Sequence, residues 1–431
     1  MDAEKWQYRE FVREVAGGEL LSRLGNNSGT GLFRNTISFQ NPGGINKIAC
    51  IITVVDVRTD TGTSPISFAT IGGTFYNVQS SGGATGDIWA EIQIGDRGSG
   101  LEAFYEVEND DVLIGSGTLI PPGILQTGVP YAVELEYTNA NDIIFRVAGQ
   151  NAIFPDAGRQ RSPVTQQKQL GTGIDANGGS GTGYVSALFD DVFINDQAQA
   201  YDTFNSTLID PTKWIQLEYV REISNGKLRM IGNICNPAGN SETQHVNVYS
   251  LPVNFDRRYI EAKMLIKSDT RVPARQNGIA RFGVWYYNDS RGPGSGQGYN
   301  GHEGDVWVSI RLIEYEGGQL EAVASVWRSD DAEGLNGQGL LWEIFPTAIN
   351  HNTEYTLSIE FTGSTIIFRC NELAPIIYNV QTPIYDPYEE WSGFQSRIYA
   401  DPGQCGFISA TFDDVYIFAS YLPGIPLLLL D

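Results

Sequence analysis

The stretches GVWYYN, Gly283 to Asn288, and GDVWVSIRL, Gly304 to Leu312, concentrate side chains that suit one kind of chemistry. If both are strands, alternation puts Trp285 and Tyr287 on one face of the first and Trp307, Ser309, Arg311 and Ile313 on one face of the second. Trp285, Tyr287, Trp307 and Arg311 then make an aromatic and polar platform. Sugars suit such platforms, because their C–H faces stack on rings while their hydroxyls bond to polar edges. A poorer version occurs earlier, where Tyr76 stands at the place of Tyr287 and GDIWAEIQI, Gly86 to Ile94, supplies Trp89, Glu91 and Gln93. The competing reading is that the large aromatics fill a sheet core.

Acid–base chemistry is thinly represented. Glu91 is a candidate general base, although a lone strand glutamate is ordinarily a solvated face residue. The three histidines, His245, His302 and His351, read as scattered loop residues and make no zinc site or catalytic triad. GQGYNG, Gly296 to Gly301, matches a dinucleotide fingerprint in letters but precedes a strand rather than opening a helix.

The elements that must position these residues come in two sets. GYVSALFDDVFI, Gly183 to Ile194, is rewritten as GFISATFDDVYI, Gly406 to Ile417, at an offset of 223 residues. IIFRV from Ile143 matches IIFRC from Ile366 at the same offset, YAVELEY from Tyr131 matches YTLSIEF from Tyr355, and KWQYREFVREV from Lys5 matches KWIQLEYVREI from Lys213. One supersecondary plan is used twice. Short alternating runs rich in Val, Ile, Thr, Tyr and Phe, separated by Gly, Asn, Asp and Pro, read as strands throughout, so the chain is all-β. The expected domains are 1–196, a first sandwich whose opening strand is missing, then 197–420, a second sandwich, and 421–431, an apolar tail.

The 431 residues suffice for two domains with real cores. A net charge of −23 repels phosphate backbones and argues against a nucleic-acid role. No apolar run is long enough to cross a bilayer, and MDAEKWQYRE lacks a basic-then-apolar signal. Sparse Lys and His with Gly- and Ser-rich loops lean toward an extracellular or cell-surface setting.

DTFNSTLIDPTKW, Asp202 to Trp214, and ATFDDVYI, Ala410 to Ile417, resemble the opening and closing segments of concanavalin A-like lectin/glucanase domains, a superfamily that includes laminin-G-like jelly rolls. The resemblance implies two tandem β-sandwich jelly rolls. In the family's glucanases a strand carries E-x-D-x-x-E, and retaining chemistry needs two carboxyls about 5 Å apart. Neither WAEIQIGD nor WVSIRLIE holds such a pair. The family's structural calcium implies Asp202 and Asp413 as ligands, with Asp190 as counterpart in the first copy. The doubled acids of FDDV point the same way, since alternation would bury one carboxylate of each pair unless a partner or metal met it.

Cys370 and Cys405 both belong to the second copy, with Val147 and Thr182 at the matching places, so the expected disulfide joins them; two separate buried thiols is the alternative. Cys50 and Cys235 are expected to stay unpaired. The tail with Leu427, Leu428, Leu429 and Leu430 imitates the segment that follows Ile194, which suggests that it completes the first sandwich of a neighbouring subunit head to tail, into a filament or ring. A tail folded on its own domain, or a longer tandem array, would explain it equally. The sequence therefore reads as a non-catalytic surface protein, binding glycan or building an assembly, with a polysaccharide-active hydrolase or lyase as the alternative.

Overall fold

The structure is a computed structural model. It describes residues 10–26, 31–59, 66–155, 158–176, 182–236, 243–251, 258–268, 278–289, 301–315, 317–380 and 384–418. Its described residues contain no helix, so none is long and apolar enough to cross a membrane.

Alternation of apolar and polar residues drives the strands. In KIACIITV the even positions, Ile48, Cys50, Ile52 and Val54, are buried and the odd ones half exposed. TIIFRC repeats the pattern with Ile366, Phe368 and Cys370 inward. The first unit contains β1 (Phe11–Ala16), β2 (Glu19–Asn26), β3 (Leu32–Ser38), β4 (Lys47–Thr59), β5 (Ile66–Asn77), β6 (Asp87–Asp96), β7 (Leu101–Asn109), β8 (Val112–Ile120), β9 (Pro130–Tyr137), β10 (Ile143–Val147), β11 (Gln150–Phe154), β12 (Lys168–Asp175) and β13 (Gly183–Ile194). The second contains β14 (Tyr219–Ser224), β15 (Lys227–Asn236), β16 (Thr243–Ser250), β17 (Tyr259–Ile266), β18 (Gly278–Asn288), β19 (Asp305–Glu314), β20 (Leu320–Ser329), β21 (Gly337–Ile344), β22 (Tyr355–Phe361), β23 (Thr365–Cys370), β24 (Ile376–Asn379), β25 (Ser392–Ala400) and β26 (Gln404–Phe418).

Each unit is an antiparallel sandwich. In the first, strands ordered β11-β10-β9-β4-β13-β2-β1 face a sheet ordered β3-β12-β5-β6-β7-β8; in the second, β24-β23-β22-β17-β26-β15-β14 faces β16-β25-β18-β19-β20-β21. The two orders are the same once thirteen is subtracted from each label in the second. Cores lie between the sheets. Tyr105 of β7 stacks on Phe145 of β10 at 4.3 Å, and Phe394 of β25 meets Phe412 of β26 at 5.0 Å.

Three expectations change here. The division falls after Glu218, not after residue 196. Residues 197–218 pack on the first unit because they carry its aromatic plug: Trp214, 1% exposed, pairs with Phe39 and lies 5.8 Å from Phe204, and Tyr201 lies 5.2 Å from Phe39. The segment read as opening the second sandwich thus closes the first. The disulfide joins Cys235 to Cys405, directly opposed on β15 and β26, whereas Cys370 is a free thiol in the second core and Cys50 a free buried thiol in the first unit. Cys370 cannot take the expected role because β22 and β17 stand between its strand and β26. Burial pushes the Cys370 thiol up to about 11. Leu427 to Leu430 lie outside the described residues.

Candidate functional site

The six-stranded sheet of the second unit turns one face to the core and the other into a cleft. On β19, Val306, Val308, Ile310 and Leu312 point to the core, which leaves Trp307, Ser309, Arg311 and Ile313 on the open face, as alternation predicts. On β18, Ala280, Phe282 and Val284 enter the core, so Arg281, Gly283 and Trp285 share the open face. Register then builds a ladder of opposed pairs: Trp285 with Trp307, Gly283 with Ser309, Arg281 with Arg311, Ile279 with Ile313. Gly283 is required there, since a Cβ would sit 2.4 Å from the Trp307 ring and 2.7 Å from the Val308 carbonyl.

Neighbouring strands complete the walls. Trp327 of β20 is opposite Trp307, and Trp342 of β21 is opposite Ser325. Trp391 lies 5.2 Å from Trp307, and His302 stacks on Trp285 at 5.1 Å. His302 is fixed from below by the fully buried Asp305, 2.9 Å from its Nδ1, and Asp305 also accepts from Asn288 Nδ2 at 2.8 Å. The result is a cleft of about 680 Å³ lined by five of the chain's eight tryptophans and by Arg281, Arg311 and Arg397. That volume lies within the range of small-ligand sites.

The cleft's electrostatics are those of crowded cations. Arg281 Nε donates to Gln395 Oε1 at 2.8 Å, and its guanidinium lies 5.8 Å from the Trp307 ring centre; Arg311 donates to Ser309 Oγ at 2.6 Å and lies 4.9 Å from the Trp342 ring centre. Burial, then Arg311 and Arg397, push Arg281 down to about 9. Burial chiefly lowers Arg311 to about 10. Trp307 Nε1 and Arg311 Nε, on residues 7% exposed, have no hydrogen-bond partner among the described residues.

Trp285, Trp307 and Arg311 therefore come together as expected, but Tyr287 does not. A β-bulge between Trp285 and Tyr287 adds one residue and reverses the alternation, so Tyr287 is 1% exposed and stacks on Phe361 in the core. The first unit repeats the event: a bulge between Thr74 and Tyr76 buries Tyr76 against Tyr137 at 5.3 Å. Sequence reasoning missed Arg281, Trp327, Trp342, Trp391, Arg397 and His302. The first two had a signal, since each follows an alternating run, but which strand lies beside which was needed to use it.

The matching face of the first unit is filled by its own charges. Arg34 of β3 holds Glu91 through two hydrogen bonds, 2.8 and 3.1 Å, and lies 5.9 Å from the Trp89 ring centre. Register sets Glu106 opposite Glu91 and Glu108 opposite Trp89. Gln93 Nε2 donates to both Glu91 and Glu106. Burial, then the Glu91 charge, raise the Glu106 and Glu108 carboxyls. Neighbouring β7 thus supplies acids that β6 alone does not.

The residues of the calcium expectation are divided between the units. Asp202 belongs to the first unit, where Trp214 Nε1 and the Phe204 amide donate to it at 2.7 and 3.0 Å and Lys213 Nζ lies 3.5 Å away. Asp413 belongs to the second unit and pairs with Lys227 at 2.9 Å, as Asp414 does with Lys263 at 2.6 Å. Nor does either FDDV motif bury an acid, because Asp191 and Asp414 turn to φ of 47° and 44° and break the alternation. Asp190 stays half-buried, its carboxyl raised first by burial. No group of three or more metal-ligating side chains occurs among the described residues.

No family model and no curated protein sequence matches the chain. Among solved structures it is similar to the mouse laminin alpha1 chain domains LG4-5, with 12% identity, 88% of this chain and 83% of that one covered, and a TM-score of 0.26. It is also similar to the GH43 protein BlXynB of Bacillus licheniformis, at 10% identity, 95% and 97% coverage and a TM-score of 0.24. A third is the CBM2 module of the evolved Dit of Lactobacillus casei BL23 phage J-1, at 13% identity, 46% and 80% coverage and a TM-score of 0.23. None of these likenesses places a site on this chain.

Proposed function

We propose that the chain is a carbohydrate-binding protein of an extracellular or cell-surface setting, and that its second unit holds an oligosaccharide in the tryptophan-lined cleft. The observation that carries this reading is the convergence of five tryptophans with donors at Trp307 and Arg311 that have no partner among the described residues. Rings supply the stacking surface and the buried donors supply hydroxyl recognition, with each unmade hydrogen bond costing about 1–3 kcal/mol until a ligand satisfies it. The Cys235–Cys405 disulfide supports an oxidising compartment. The test is a glycan array probed with the full chain, where Trp285→Ala and Trp342→Ala should each abolish the signal. An array on which nothing binds, or on which both variants bind as well as the parent, would end the reading.

A second reading, hydrolysis of a polysaccharide, has one observation in its favour: Glu91 and Glu106 face each other on adjacent strands of the first unit, one held by Arg34 and the other with its proton affinity raised. Against it, Arg34 and Gln93 occupy the carboxylates. Release of reducing ends from a polysaccharide panel, lost in Glu106→Gln, would favour it.

A further inference from the structure

Within the cleft, the arginines pose a question that stacking does not answer. The chain carries 51 acidic residues against 28 Lys and Arg, and its arginines elsewhere find acids readily: Arg34 with Glu91, Arg328 with Asp289, Arg369 with Glu360, Arg229 with Glu222. Arg281 and Arg311 do not. They are directly opposed across β18 and β19, and among the described residues neither has a carboxylate within ion-pair distance. Among the described residues lining the cleft Glu389 is the one acid, and its side chain is 62% exposed, 3.8 Å from His302 Nε2. Two adjacent cations withdrawn from water, with Arg397 close enough to depress Arg281 further, are costly unless an anion meets them.

The ladder says where that anion sits. Trp285 and Trp307 lie at one level, the Trp307 ring leans over Gly283 at the next, where Ser309 is small, and the arginine pair follows; Val323 stands opposite Arg311, and Ile279 with Ile313 comes one level beyond. A sugar ring stacked on the tryptophans thus stands close to the guanidiniums, Arg281 lying 5.8 Å from the Trp307 ring centre, and these present forked donors matched to a carboxylate. Arg311 Nε, buried and without a hydrogen-bond partner among the described residues, is one such donor.

We infer that the cleft takes an acidic saccharide and seats a sugar carboxylate between Arg281 and Arg311. This rests on the carbohydrate reading above and names the substrate class of the same site. The experiment is calorimetric titration of the full chain with two matched pairs, tetragalacturonic acid against its methyl ester and 3′-sialyllactose against lactose. The acidic member of at least one pair should bind about tenfold tighter or more, a margin of about 1.4 kcal/mol, and the margin should shrink as salt rises. Which pair shows it separates a uronate from a sialate. Arg281→Gln and Arg311→Gln should erase the margin by weakening the acidic member more than the neutral one; neither should lower the melting temperature, because each removes a desolvated like charge. Equal binding of acidic and neutral members, or a margin that survives in the double variant, overturns the acidic-group inference alone. Binding of neither member of either pair, together with a blank glycan array, overturns the carbohydrate reading and the inference with it. If the variants do not fold, the parent's margin and its salt dependence still decide.

Discussion

The open faces of the two six-stranded sheets share a register and differ in nearly every side chain. Trp89 in the first stands where Trp307 stands in the second, and Gly72 where Gly283 does, each glycine clearing room for the tryptophan beside it. Around that shared pair, Glu91, Gln93, Glu106, Glu108 and Thr74 in the first become Ser309, Arg311, Ser325, Trp327 and Trp285 in the second. The first face neutralises itself with Arg34; the second keeps its cations apart from acids and its rings around a cleft. One scaffold thus supports a closed polar network and an open aromatic site, and function follows the side chains rather than the fold.

The largest expected effect lies in a residue that only the first unit has. Lys168, 3% exposed, occupies the position of Ser392, and its ammonium reaches the Thr74 carbonyl through space that Gly73 leaves free. Burial pushes it down to about 7. Its folded value is therefore below its ordinary value of about 10.4, and between those limits the unfolded chain holds a proton that the folded one has released. Stability contributed by this group should climb as pH rises from 7 to 10, by up to about 4 kcal/mol, and be flat and lowest below 7. Calorimetry of Lys168→Met should show the first unit melting higher at pH 7 and without that climb. A variant whose melting follows the parent's pH dependence would show that burial does not lower the Lys168 ammonium.

Next in size is the disulfide, a device only the second unit has. Cys235→Ser should destabilise that unit by about 3 kcal/mol, and Cys405→Ser by the same amount, while Cys370→Ser should cost only what a polar group in the core costs. Peptide mapping under non-reducing conditions checks the connectivity. A bridge found at Cys370 would restore the pairing expected from the sequence.

Smaller again is the loss of the Arg34–Glu91 pair. Glu91→Gln leaves Arg34 without its bidentate acceptor and should lower the first unit's stability by about 2 kcal/mol, less than for a fully buried pair because Arg34 keeps 23% of its side chain exposed. Glu91→Gln with Arg34→Met should recover most of that loss. If the double variant is no better than the single, the pair is not what holds the face shut.

Much of this was legible in the sequence where alternation alone decides. The repeat, the all-β class and the open-face set Trp307, Ser309, Arg311 and Ile313 follow from a period of two. Tyr287 and Tyr76 were misplaced because a single inserted residue at a bulge reverses that period without any sequence mark beyond adjacent aromatics, Trp285 to Tyr287 in one and Phe75 with Tyr76 in the other. Trp327, Glu106 and the Cys235–Cys405 bridge depend on which strand lies beside which, a property of register that no single strand encodes. Trp214 was assigned to the unit that follows it because the repeat was aligned by letters, whereas the aromatic plug it completes, with Phe39, Tyr201 and Phe204, is contributed from both ends of the first unit.

The smallest effect is also the most direct test of the comparison, since it writes one side chain of the first face onto the second. Ser309 is fully buried beside Arg311 and opposite Gly283, as Glu91 is buried opposite Gly72, and in each unit the neighbouring tryptophan ring takes the room that a Cβ on the glycine would need. In Ser309→Glu a carboxylate would stand beside the opposed arginines, as Glu91 stands with Arg34. It would supply the anion they lack, so the unit should melt slightly higher, and an acidic saccharide would meet guanidiniums already paired. Its affinity should fall about tenfold, about 1.4 kcal/mol, while a neutral saccharide stacked on Trp285 and Trp307 should be affected far less. A Ser309→Glu protein that keeps its preference for the acidic sugar would mean that the arginines do not read the carboxylate, and that the two faces differ in their rings alone.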